Sequence, residues 1–191
     1  IIYYSLEEGP NLISFPILTD YNAIESFFTF DNTNIISNTS IDENVVSILS
    51  EEELGFLNNS EWVGSMDYIN SNKGYWIIIN EPISFLFIGE SLDENIYFFH
   101  PGANLISYPF NTEQTMSSAL NLFSTESLYA IIGEDEALLS INGSWWGSLQ
   151  TFEPGRGYWF IVGDYTPFIF NTPVENYLSN SQSEIYDDED I

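Results

Sequence analysis

Gly9-Pro10-Asn11-Leu12-Ile13-Ser14-Phe15-Pro16 returns 93 residues later as Gly102-Ala103-Asn104-Leu105-Ile106-Ser107-Tyr108-Pro109. Trp62-Val63-Gly64-Ser65 returns as Trp145-Trp146-Gly147-Ser148, and Lys73-Gly74-Tyr75-Trp76 as Arg156-Gly157-Tyr158-Trp159, both at an offset of 83. The same offset aligns Glu51-Glu52-Glu53 with Glu134-Asp135-Glu136 and Phe85-Leu86-Phe87 with Phe168-Ile169-Phe170. Self-similarity of this density reads as two tandem copies of one small unit. Phe27 and Phe123 stand 96 apart, so the first copy carries an insertion of 13 residues between Phe28 and Val45. The expected organisation is unit one over 1–88, with an inserted loop at about 29–44, and unit two over 89–170. Residues 171–191 form an acidic tail or the truncated start of a third unit, because Ile185-Tyr186 echoes Ile2-Tyr3 and Ile96-Tyr97.

Within each unit the runs are short, β-branched and aromatic, punctuated by Gly, Asn and Pro, which is the signature of strands. Leu12–Ile17 reads as a strand, Val45–Leu49 and Leu54–Leu57 as a hairpin around an acidic tip, and Leu128–Ile132 with Ala137–Ile141 as its counterpart. Asn22–Phe28, with Asp20 as N-cap, and Thr115–Phe123 have apolar residues at helical spacing. The expected class is mainly β (a β-rich α+β fold), with about six short strands and one short helix per unit. The five Trp residues all fall between the Trp-x-Gly-Ser and Gly-Tyr-Trp motifs, and a pair of Trp at fixed spacing is expected in the core. Gly74 and Gly157 supply a positive φ or a close backbone approach.

The units resemble a repeat of surface and secreted proteins of marine bacteria, with related versions in structural proteins of their phages. The likeness rests on Gly-x-Asn-Leu-Ile-Ser-x-Pro at the start of a unit and Gly-x-Gly-Tyr-Trp near its end, and covers Leu6–Phe87 and Phe99–Phe170. Pro10 and Ala103 stand where that repeat usually has Trp. The resemblance implies a non-catalytic extracellular, cell-surface or virion module, and brings no catalytic residues with it.

The charge narrows the partners. Two Lys+Arg against 29 Asp+Glu give a net charge of −27. Nucleic acid and anionic membrane are excluded, since phosphate binding needs clustered cations. With 44% hydrophobic and 17% aromatic residues, the acidity does not read as disorder. Cys is absent and His100 is the one histidine, so Cys/His nucleophilic sites and His-based zinc sites are excluded. His100, before Pro101-Gly102, reads as a turn residue. No carboxylate pair is singled out for glycoside hydrolysis. The expectation is no enzyme and no cofactor.

The residues that do recur are charged or aromatic. Lys73 and Arg156, the only Lys and Arg, occupy equivalent positions before Gly-Tyr-Trp and are expected to pair with carboxylates or carbonyls. The acidic triplets read first as solvated turns that keep strand edges apart. The sharper alternative is a weak Ca²⁺ site using Glu51, Glu53, Glu134 and Glu136 with oxygens from another loop. Trp146, Tyr158 and Trp62 are the candidate ligand-binding aromatics, with Trp146 expected to face solvent. The expected partners are other protein subunits or a surface receptor or glycan, with the chain part of a larger polypeptide or assembly. A carbohydrate-binding domain is the alternative function.

Overall fold

The computed structural model describes residues 1–18, 22–29, 32–39, 41–90, 96–120 and 127–173. The fold is mainly β. The first half contains β1 (Ile2–Leu6), β2 (Gly9–Ser14), β3 (Asn22–Ala23), α1 (Ile24–Phe27), β4 (Ile35–Ser37), β5 (Val45–Leu49), β6 (Leu54–Asn58), β7 (Glu61–Gly64), β8 (Tyr68–Ile69), β9 (Gly74–Ile79) and β10 (Ile83–Phe87). The second contains β11 (Ile96–Phe99), β12 (Gly102–Ser107), β13 (Gln114–Thr115), α2 (Met116–Ala119), β14 (Leu128–Ile132), β15 (Ala137–Ile141), β16 (Ser144–Gly147), β17 (Thr151–Phe152), β18 (Gly157–Val162) and β19 (Thr166–Ile169).

Each half is built on a five-stranded antiparallel sheet, ordered β2-β9-β5-β6-β7 in the first and β12-β18-β14-β15-β16 in the second. A smaller sheet covers one face of each, β1-β10-β4 in the first half and β11-β19 in the second. Period-two alternation explains the packing. On β9, Tyr75, Ile77 and Ile79 point inward and Trp76 and Ile78 outward; on β10, Ile83, Phe85 and Phe87 point inward. Between the layers Phe15 lies 5.5 Å from Tyr4 and 5.4 Å from Phe87. In the second half Phe99 packs on Phe160 at 5.3 Å and Phe160 on Phe168 at 5.2 Å. The two cores are separate: one gathers residues from Ile2 to Phe87, the other from Tyr97 to Phe170.

Several expectations are corrected. The helices shrink to single turns, Ile24–Phe27 and Met116–Ala119, because the preceding residues pair as β3 with β8 and β13 with β17. Ala23, not Asp20, holds the first N-cap position, with no side-chain cap; Asp20 and Phe123 lie outside the described residues. The first half carries ten strands rather than six, three of them only two or three residues long, one of these drawn from the insertion. The inserted segment is not simply a loop: its β4 pairs with β10 and widens the covering sheet. The opening strand of the Gly-x-Asn-Leu-Ile-Ser motif runs Gly9–Ser14 and stops before Pro16. No Trp is buried. The cores are Phe, Tyr and Ile, while Trp76 and Trp159 lie half-buried on the outer sheet faces beside Leu12 and Leu105. The tail beyond residue 173 lies outside the described residues.

The recurring motifs close local geometry. Asn11 accepts the Glu7 N–H (2.9 Å) and donates to the Glu7 carbonyl (2.8 Å), pinning the turn from β1 to β2 where Gly9 takes φ +100°. Asn104 does the same with His100 beside Gly102, at φ +105°. In Trp-x-Gly-Ser, the N–H groups of Ser65 and Met66 share the Leu54 carbonyl, as those of Ser148 and Leu149 share that of Ala137. This bulge swings Met66 and Leu149 into the cores. A Cβ on Gly64 or Gly147 would stand 2.0 Å from that carbonyl oxygen.

Candidate functional site

Lys73, Arg156, His100, Glu51, Glu53 and Glu134 converge on the seam where the halves meet. The seam exists because β2 and β12 are edge strands whose outward N–H groups need acceptors. Leu12 N–H donates to Glu134 Oε2 at 3.0 Å, and Leu105 N–H to Glu51 Oε2 at 3.1 Å. Ser14 N–H donates to the Gly155 carbonyl (2.8 Å) and Ser107 N–H to the Asn72 carbonyl (3.1 Å). The hydroxyls follow suit: Ser14 Oγ donates to the Arg156 carbonyl (2.7 Å) and Ser107 Oγ to that of Ser71 (2.6 Å). The backbone N–H contacts from one half are answered by equivalent ones from the other, as in an isologous interface, while the two hydroxyls reach carbonyls two positions apart in the repeat register. Pro10 falls on the same outward row as Leu12 and Ser14, where a missing N–H leaves nothing unpaired.

The glycines of Gly-Tyr-Trp sit at the centre of the seam. A Cβ on Gly74 would lie 2.7 Å from Leu105 Cδ1 and 2.9 Å from the Ile106 carbonyl oxygen. On Gly157 it would lie 2.8 Å from the Ile13 carbonyl oxygen and 3.2 Å from the Gly74 Cα. Close approach, not positive φ, is the reason for glycine at both positions. Leu12 and Leu105 are buried yet belong to neither core; each fills the space over the opposite half's glycine.

The cations serve the acidic hairpin tips. Lys73 Nζ contacts Glu53 Oε2 at 2.5 Å; Arg156 contacts Glu134 at 3.2 Å and Glu153 at 3.6 Å. Glu51 bridges the seam, pairing one oxygen with His100 Nε2 and the other with Leu105 N–H. The His100 pKa is raised by its hydrogen bond to the Pro101 carbonyl and then by that to Glu51. Glu136, at the same tip, is held above the usual carboxylate range by burial and then by Glu153. The reading of the triplets as purely solvated turns is therefore corrected: Glu51 and Glu134 cap the backbone of the opposite half. Among the described residues, no three or more His, Asp or Glu gather at metal-binding spacing.

Two open grooves flank the seam. One, of about 360 Å³, is lined by Leu12, Glu134, Asp135, Glu136, Glu153 and Arg156. The other, of about 320 Å³, includes Glu51, Glu52, Lys73, Phe98, His100 and Leu105. Both carry carboxylates already engaged by backbone or cation.

The candidate aromatics part company. Tyr158 is 2% exposed; its phenol accepts the Glu153 N–H at 2.9 Å, and burial raises its pKa, so the ring is a core element and not a ligand platform. Trp62 leans on the first core, 6.0 Å from Phe28. Trp146 stands apart at 64% exposure on the outer edge strand β16. Around it the outer face of the second sheet presents Leu139, Ile141, Ile132 and Tyr129, all exposed. None of that sheet's five strands contains a charged residue, and the first sheet's five contain only Glu61. Sequence reasoning singled out Trp146 but missed this face, whose signal was the absence of charge from the second sheet's strands.

Comparison of the chain with known protein families, with curated proteins and with solved structures finds no match. Among the described residues no helix is long and apolar enough to cross a membrane.

Proposed function

We propose that the chain is a non-catalytic structural or adhesive module of a virion or cell surface, made of two copies of one unit clasped at the seam. It works by protein–protein assembly or receptor contact. The observation that carries this reading is the pair of apolar sheet faces in a chain of net charge −27. Exposed apolar area of this kind marks contact surfaces, and the acids at tips and turns keep the molecule soluble until it is docked. The motif residues that recur support it too, since backbone capping, turn closure and seam packing account for them without a ligand.

The second reading, a carbohydrate-binding domain, draws on the exposure of Trp146, because sugars stack on aromatic faces. A glycan array separates the two. The contact-module reading expects no saturable glycan binding by the wild-type chain; a glycan bound by wild type and lost in Trp146→Ala would overturn it.

A further inference from the structure

We infer that the seam is held by two clasps of different chemistry, one permanent and one operated by a proton. Protonated His100 keeps Glu51 on the Leu105 N–H, and loss of that proton frees this stretch of β12 while Glu134 holds Leu12 throughout. The inference concerns the joint between the halves and stands whatever the module docks with.

The two clasps start alike. Each is a hairpin-tip carboxylate accepting an N–H from the opposite half's edge strand, Glu134 from Leu12 at 3.0 Å and Glu51 from Leu105 at 3.1 Å. They part at the cation. Glu134 Oε2 also accepts from Arg156 Nη1 at 3.2 Å, and a guanidinium keeps its charge at any pH a folded protein meets. Lys73 stands at the position equivalent to Arg156 but is held by Glu53 at 2.5 Å. Glu51 is left with His100, at a position where the first half has Glu7. One clasp therefore rests on a fixed cation and the other on a ring that titrates near neutrality.

The surroundings of the ring require its proton. Nε2 faces Glu51 Oε1, and Nδ1 faces the Pro101 carbonyl at 2.9 Å. Both oxygens accept, and a neutral imidazole has a single N–H, so only the imidazolium donates to both. Once the proton leaves, either tautomer loses one of the two bonds, and in both the bond to Glu51 ceases to be charge-assisted. Among the described residues, the other charged groups facing the ring are Glu52 on the same tip and Lys73 beside it. The ring's own strands add only the Tyr97 phenol, which donates to the Ser107 carbonyl. None of these replaces the lost cation, since Glu52 repels Glu51 and Lys73 is engaged. The His100 pKa, raised by the Pro101 carbonyl and then by Glu51, fits a ring that gains both bonds with its proton. The clasp is closed in mild acid and opens as pH rises through the raised folded value.

Amide hydrogen exchange of the full chain, read residue by residue by NMR and corrected for intrinsic rates, tests this between about pH 5.5 and about pH 8.5, either side of the ordinary histidine value. Relative to Leu12, the protection of Leu105 should fall about two- to fivefold across that range, the span of a part-exposed ion pair. Its midpoint should match the titration of the His100 ring. His100→Gln, which keeps a donor but no charge, should hold the Leu105-to-Leu12 ratio constant at the lower value, and Glu51→Gln should do the same from the other side of the pair. An unchanged ratio in wild type, whether both amides hold or both loosen together, overturns the inference. So does a pH dependence that survives in His100→Gln, which assigns it to another group. None of these outcomes touches the glycan result, so this inference and the contact-module reading fail separately.

Discussion

At the scale of single residues, the seam depends on what is missing at Gly74 and Gly157 as much as on what is present. Gly157→Ala would press a Cβ against the Ile13 carbonyl oxygen at 2.8 Å, and backbone cannot swing away. We expect a loss of about 1–3 kcal/mol, the usual cost of overpacking, read from urea unfolding. Gly133→Ala is the control: its added Cβ meets the Glu136 side chain at 3.2 Å and the Tyr158 ring at an ordinary contact distance of 3.5 Å, and its stability should stay near wild type. The ion pairs matter less. The Arg156 side chain is 45% exposed, and exposed pairs contribute about 0–1 kcal/mol, so Arg156→Met should shift the midpoint only slightly. The Arg156 backbone carbonyl, which accepts from Ser14, survives that change. His100 adds a pH dependence. Its pKa is raised in the folded chain, so its contribution is complete below the unfolded value of about 6.5 and fades as pH rises through the folded value. The melting temperature of wild type should therefore fall relative to His100→Gln across the window just above pH 6.5; parallel curves for the two proteins would remove His100 from the seam's energetics.

At the scale of elements, the inserted segment and Pro167 solve one problem in two ways. In the first half β4 covers the outer edge of β10, with Ile36 opposite Leu86 and Ser37 Oγ donating to the Ser84 carbonyl at 3.2 Å. In the second half β19 has no such partner strand among the described residues, and Pro167 occupies the position equivalent to Ser84. A proline on an open edge withholds the N–H that a foreign strand would use. Pro167→Thr should therefore raise light scattering on prolonged incubation while leaving the melting temperature near wild type; scattering equal to wild type would mean the edge is protected otherwise. This compensation was not legible in the sequence, because Ile35-Ile36 between Asn- and Thr-rich flanks gives too short a run for a strand to be read. The hairpins were legible, since β5–β6 and β14–β15 combine alternation with polar tips. The helices were overread: their apolar spacing is real, but β3 and β13 take the first residues and leave one turn. Trp was misplaced because hydrophobicity says that a residue is covered and strand parity says by which layer. Tyr75 and Trp76 are neighbours, so only one of them can face the core.

At the scale of the whole molecule, two separate cores are joined by a seam of reciprocal contacts. The sequence made the recurring motifs visible, and the strand orders of the two large sheets correspond. What it left hidden was the destination of the recurring residues: the acids of one half cap the edge strand of the other, a pairing of Leu12 with Glu134 across 122 positions. No periodicity reports a contact of that range. Two cores of this kind would unfold independently unless the seam couples them, and coupling is the central claim. Differential scanning calorimetry tests it directly, comparing wild type with Gly157→Val, in which the seam is forced apart. The account predicts one transition for wild type, with calorimetric and van't Hoff enthalpies equal, and two resolved transitions for Gly157→Val. Two transitions already present in wild type, at temperatures the substitution does not move, would contradict it.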